Sequence, residues 1–247
     1  MFNSGRIILA IETSNPGPGT PGGGGVALGR LNAAGVVEPL GRRALAPASR
    51  HDDALMPAID ALFADHGLTP KDLATIAVSV GPGGYTSIRI AVATAALLAQ
   101  AVGAGCIAVP TDEGVIRRVD PGEAGGRPVI VTLAWKRDSV WVRTYRVSAG
   151  GTEATMAGEV VDLASFADRF GREPSLLVAD DEFARLLAAR GLVGPGWSVV
   201  APIFDPLAVL EAAAGRTAAD PSSLVPIYAR EPEAVTKWRE LHGPASA

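Results

Sequence analysis

Residues 73–80 have few polar side chains, residues 81–84 read Gly-Pro-Gly-Gly, and residues 85–102 form a long alanine-rich run. A buried strand that ends in a glycine turn and opens a helix is the connecting unit of an α/β layer, so this segment predicts such a fold. The first amides of the helix have no intrahelical partner, which gives the turn the geometry of an anion site. Gly81, Gly83, Gly84 and Thr86 are therefore candidate phosphate-loop residues. Glycine also serves any turn in which backbone passes close to backbone, so the same pattern fits a structural role.

Flanking segments extend the pattern. Residues 6–13, 26–31 and 36–45 read as three opening strands, and residues 15–25 as a loop too rich in glycine and proline for regular structure. Leu55, Ile59, Leu62 and Phe63 recur at helical spacing over residues 51–66, with Gly67 as the stop. Residues 106–109 close the first lobe, and the polar, glycine-rich residues 112–127 read as a boundary. Beyond it, residues 128–133 and 140–147 predict a hairpin. Helices are expected at 163–170, 181–190 and 206–214, alternating with strands at 175–179 and 198–201. The expected organisation is two lobes, 1–111 and 112–214, each a mixed sheet with flanking helices, with residues 215–247 a candidate for return to the first.

Composition bounds the function. Hydrophobic residues make up 48% of the 247 and charged residues 19%, which suits a soluble globular chain. Aromatic residues are only 5%, so the core must be built from Ala, Val, Leu and Ile. A net charge of -4 gives no electrostatic reason for the chain alone to hold a polyanion, and any contact with RNA is expected to be indirect. The single cysteine, Cys106, lies in an apolar stretch and excludes an internal disulfide. Arg6 and five apolar residues are too short for a signal peptide or a span, so the protein is expected in the cytoplasm and off the membrane.

Ala77 to Ala95, with Gly81-Pro82-Gly83-Gly84-Tyr85-Thr86-Ser87-Ile88-Arg89-Ile90 at its centre, resembles the GPGSFTGLRIG-type signature of the TsaB (YeaZ) family. That family belongs with the sugar kinase, Hsp70 and actin superfamily. Ala10-Ile11-Glu12-Thr13-Ser14 resembles its opening strand and turn, Arg50 to Pro57 the start of its first helix, and Pro226-Ile227-Tyr228-Ala229-Arg230 with Glu231-Pro232 its end. The resemblance implies two RNase H-like lobes and a scaffold subunit of the complex that places threonylcarbamoyl on tRNA adenosine. It implies docking to a TsaD-like catalytic subunit through the first two helices, with His51, Leu55, Tyr85, Ser87, Ile88, Ala91, Val92 and Ala95 as the interface. A TsaE-like ATPase is a further candidate partner, a homodimer is expected when the chain is alone, and ATP or ADP is a candidate at the interface of the assembled complex.

The chain departs from the family at Glu12, where Asp is usual, at Tyr85 for Phe and at Ser87 for Gly. The insertion at residues 15–25 replaces a short turn, and Ala134, Lys136 and Ser139 stand where the family has an acidic residue, an arginine and a glutamate. The TsaD-like relatives bind metal through two histidines four apart on a helix; here Leu55 follows His51 at that spacing, so no metal site is expected. Asp52 and Asp53 read as first-turn acids favoured by the helix dipole. No serine or cysteine sits in a nucleophile pattern, so no catalytic residue is assigned. The alternative is an ATP-dependent phosphotransferase or ATPase, with Glu12 near the metal and the glycine turn around the phosphates.

Overall fold

The structure, a computed structural model, describes residues 6–15, 24–32, 35–45, 51–231 and 233–243. Residues 16–23 of the expected loop, and the side chains of His51, Asp52 and Asp53, lie outside the described residues.

Period-two alternation gives the first sheet its two faces. In β1 (Arg6–Glu12), Ile7, Leu9 and Ile11 enter one apolar cluster, whereas Ile8 and Ala10 enter another on the opposite side. β1 pairs antiparallel with β2 (Gly25–Leu31), which pairs with β3 (Val37–Ala44). The chain then forms α1 (His51–Asp65), β4 (Leu73–Ser79), α2 (Tyr85–Val102) and β5 (Gly105–Val109), and β4 and β5 extend the sheet in parallel. The order is β3-β2-β1-β4-β5.

Helices α1 and α2 cover the Ile7, Leu9 and Ile11 face. Leu55, Ile59, Leu62 and Phe63 are all buried, each contributing on the order of 2 kcal/mol by burial. On α2 the buried stripe is Ile88, Ala91, Val92, Ala95 and Ala99, whose small side chains let the helix lie close to the sheet. α2 is long and apolar enough to cross a membrane by length and composition, but this stripe belongs to the first-lobe core. The helix ends at Gly103, whose φ of 74° permits its amide to bond the Ala99 carbonyl.

The polar stretch that reads as a boundary folds instead into two short helices, α3 (Thr111–Ile116) and α4 (Pro121–Ala124). The second sheet follows with β6 (Val129–Lys136), β7 (Ser139–Ser148), β8 (Gly151–Ala154) and β9 (Glu159–Asp162), then α5 (Leu163–Phe170), β10 (Leu176–Val178), α6 (Asp181–Ala189) and β11 (Ser198–Val200). Its order is β11-β10-β6-β7-β8, with β9 also on β7. An antiparallel hairpin followed by two parallel strands repeats the plan of the first sheet.

Helix α7 (Pro206–Ala213), grouped with the second lobe on sequence, packs on the first sheet. Its Val209, Leu210, Ala212 and Ala213 cover the Ile8 and Ala10 face. Ala219 then bridges to Cys106, whose burial pushes the thiol up to about 11. The described chain closes with α8 (Glu233–His242). Between the lobes, fully buried Asp112 accepts from Arg143 at 3.0 Å and from the Tyr145 hydroxyl, and Arg118 bonds Asp205 at 2.9 Å. Burial raises the Asp112 carboxyl above its ordinary value, against the pull of Tyr145 and Arg143.

Candidate functional site

Glu12 ends β1 on the Ile8 and Ala10 side and is buried. Its Oε1 accepts from the Ser14 amide at 2.7 Å and the Ser14 hydroxyl at 2.6 Å. Burial pushes this carboxyl above its usual 4.5, while the bonds from Ser14 and Ser79 pull it down and the charge of Asp205 adds to the rise. Because the folded value is raised, the associated stability is full below the unfolded value and is lost as pH rises through the folded one.

The Ser14 carbonyl in turn accepts from the Gly84 amide at 2.6 Å. Gly83 lies so close that a Cβ there would sit 2.3 Å from the same oxygen. At the other end of the turn, Gly81 has a φ of 109°, and a Cβ there would sit 2.3 Å from the Ile227 carbonyl oxygen. The Ile227 amide bonds the Val80 carbonyl at 2.7 Å, and the Thr111 amide bonds the Gly81 carbonyl at 2.9 Å. Three separate segments thus clamp the turn. A phosphate cradle needs convergent unspent amides, and the Gly84 amide is already committed to Ser14. Close backbone approach accounts for Gly81 and Gly83, whereas Gly84 and Thr86 are exposed at the start of α2.

The interface expectation also needs correction. Leu55, Ser87, Ile88, Ala91, Val92 and Ala95 are buried inside the first lobe, where they contact α1, α2 and the sheet. Alanines at helical spacing look the same whether they pack on their own sheet or on a partner. Among the described side chains of that set, Tyr85 alone stands outside the core. The outward faces of the two helices carry other residues: Met56 and Pro57 on α1, and Arg89, Ala93 and Leu97 on α2. Leu97 is 67% exposed and Met56 48%.

A half-open cleft of about 1140 Å³ lies between the lobes. The first lobe contributes Asn15, the glycine turn, Tyr85 and Arg89, the β6–β7 hairpin contributes Leu133 to Arg137 and Ser139, and the returning chain contributes Tyr228 to Glu231. The Tyr85 and Tyr228 rings pack with centroids 4.8 Å apart, and the Arg89 guanidinium lies 5.3 Å from the Tyr85 ring centre. Burial raises the Tyr228 hydroxyl above its ordinary range. Arg230 reaches the second lobe, donating to the Ser139 hydroxyl at 3.0 Å and its carbonyl at 2.5 Å. Burial alone pulls Arg230 below the usual guanidinium value. Ala134 and Arg137, which bound this hairpin, have φ of 50° and 56°. Sequence reasoning missed Arg89, Tyr228 and Arg230. Tyr228 and Arg230 lie in the end segment that resembles the family, but nothing local in sequence says that the end crosses both lobes.

A two-lobed α/β fold with paired mixed sheets, a clamped glycine turn and an interlobe cleft defines the class. Comparison with known proteins gives the family. Residues 46–185, more than half of the chain, match the family described as TsaD, tRNA N6-adenosine threonylcarbamoyltransferase. An uncharacterized protein of Mycobacterium tuberculosis is 30% identical over 227 residues, covering 92% of this chain and 93% of its own. The tRNA threonylcarbamoyladenosine biosynthesis protein TsaB of Bacillus subtilis is 29% identical over 198 residues, 77% of this chain and 84% of its own. The solved structure of YeaZ from Pseudomonas aeruginosa has the same fold, with a TM-score of 0.67 at 20% identity over 90% of this chain and 99% of that one. The chain belongs to this threonylcarbamoyltransferase family, among its TsaB (YeaZ) members.

Proposed function

We propose that the chain is a non-catalytic subunit in the biosynthesis of threonylcarbamoyladenosine in tRNA, and that it docks on a TsaD-like transferase through the outward faces of α1 and α2. Family membership supports the pathway. The observation that carries the docking mode is the exposure of Leu97 and Met56 on these two neighbouring helices, since exposed large apolar side chains on adjacent elements favour a covering surface. Without the transferase, the same face pairs with a second copy. ATP or ADP joins only in the assembled complex, a TsaE-like ATPase is a further partner, and tRNA is held by the assembly rather than by this chain. On this reading the chain works in the cytoplasm, with residues 1–111 joined by α7 as one lobe and residues 112–205 as the other.

Sedimentation of the chain with and without the transferase, and with and without ATP, tests the reading. The wild type should shift from dimer or monomer to a heteromer, and Leu97→Arg should lose that shift while keeping its fold. An unchanged heteromer with both Leu97→Arg and Met56→Arg would reject the docking face. The phosphotransferase alternative lacks support from the turn, whose Gly84 amide is bonded to Ser14.

A further inference from the structure

We propose that the cleft between the lobes receives an extended acidic segment of the protein partner, gripped by Arg89 and Arg230 beside the Tyr85–Tyr228 pair. The partner's identity rests on the docking reading above; the chemistry of the segment does not.

The charge balance of the cleft runs against that of the whole chain, which is -4. Arg89 and Arg230 line it, and the carboxylate among the lining residues, Glu231, has both oxygens taken by Arg239 at 2.5 and 2.9 Å. Arg230 is the sharpest signal. It is partly withdrawn from water, spends Nε and Nη2 on Ser139, and has no carboxylate partner among the described residues. A guanidinium has five donors in a fork that matches a carboxylate, and a desolvated cation without a counter-charge is costly to maintain. An arriving acid side chain offsets that cost.

Size and shape favour a chain segment over a small molecule. At about 1140 Å³ the half-open cleft lies just above the roughly 300–1000 Å³ of small-molecule clefts and cavities, and the Gly84 amide that borders it is already bonded to Ser14. Nucleic acid fits less well, because its grip comes from many cations along a track, and this chain is acidic overall. Position adds the last argument. Arg89, Ala93 and Leu97 are four apart on α2, so one exposed row of the helix leads from the cleft mouth to the face assigned to the partner. A protein lying on that row reaches the cleft with its adjoining segment.

The test measures association of the full chain with the transferase at low and high salt for wild type, Arg89→Gln, Arg230→Gln and Leu97→Arg. Each Arg→Gln variant should weaken binding by about fivefold or more and flatten its salt dependence. Arg230→Lys, which keeps charge but loses the fork, should fall between. Because Arg230 also braces Ser139, circular dichroism accompanies its variants, and the exposed Arg89 decides alone if they fail to fold. If Leu97→Arg abolishes association while Arg89→Gln and Arg230→Gln match wild type at both salts, the cleft proposal is overturned and the docking reading stands; the reverse pattern overturns the docking face and keeps the cleft. Should the wild type itself fail to associate, the docking reading fails, and titration of Trp135 fluorescence decides the cleft. A short Asp/Glu peptide carrying one Phe should saturate, and its Asn/Gln counterpart should not. Equal response to both peptides, or tighter binding of a short oligouridylate, overturns the proposal.

Discussion

Strand β4 enters α2 through Gly81-Pro82-Gly83-Gly84, whereas β10, in the corresponding place of the second sheet, enters α6 through Ala179 and Asp180. Gly84 caps its helix with no side-chain bond, while the Asp180 carboxylate accepts from the Phe183 amide at 2.8 Å. Both turns have the same task of satisfying a helix start. The difference lies in what surrounds them. The first is approached by the backbones of Ser14 and Ile227, where a Cβ at Gly83 or Gly81 would clash; the second has no glycine, and its helix start is satisfied by an ordinary aspartate cap. In this chain, Gly81 and Gly83 of the signature are thus required by the close approach of distant backbone.

The largest effect should come from forcing a side chain into the crowded turn. Gly81→Ala combines a left-handed φ with a clash against the Ile227 oxygen, and it should cost about 3 kcal/mol in chemical unfolding. It should also release the returning chain, seen as faster amide exchange at Ile227. A loss under about 1 kcal/mol would mean that the turn relaxes cheaply and that crowding does not explain its glycines.

Next in size is a test of which face of α2 is core. Ala95→Leu should destabilise by about 2 kcal/mol through overpacking on the first sheet, whereas Ala93→Leu, on the exposed face, should be nearly neutral. Equal effects would erase the distinction between buried and outward alanines. This is also where sequence ran out. Its period-two and helical patterns located most strands and helices of both sheets, because those patterns depend only on which residues avoid water, but not β8, β9 or α8. They do not say what covers a face, so Ala91, Ala95 and Leu55 read as partner surface, and α7 read as second-lobe though it covers Ile8 and Ala10. Similarly, the polar, glycine-rich residues 112–127 read as a boundary, although Asp112 is paired with Arg143 and accepts from the Tyr145 hydroxyl, which lets α3 be buried. The cleft was half legible: Tyr85 belonged to the signature, but Arg89 and Arg230 acquire meaning only once the chain end returns across both lobes.

The aspartate cap of the second lobe should give a smaller loss. Asp180→Ala removes the bond to Phe183 N–H and the acceptor at 3.3 Å from the Trp135 indole, for a cost of about 1 kcal/mol confined to the second lobe. Hydrogen exchange should quicken in α6 and leave α2 unchanged. Equal quickening in both helices would show the lobes to be one cooperative unit.

The smallest effect compares the turns that lead into these same two strands. Before β4, Asp72 accepts from the Thr69 amide at 2.7 Å and its hydroxyl at 2.9 Å, and these bonds hold its carboxyl below the usual 3.8. Before β10, the Ser175 hydroxyl donates to the Glu173 carbonyl at 3.1 Å, a contact between groups that do not titrate. A depressed carboxyl contributes stability that is full above its unfolded value and is lost as pH falls through the folded one. Asp72→Asn should therefore lower stability slightly at neutral pH and progressively less in acid, while Ser175→Ala should give a difference that does not vary with pH. Asp72 is fully exposed, so salt should shrink its effect further. If the Asp72→Asn difference persisted undiminished at the acid end, the carboxylate's charge would have no part in holding the turn before β4, and the turns leading into β4 and β10 would be equivalent after all.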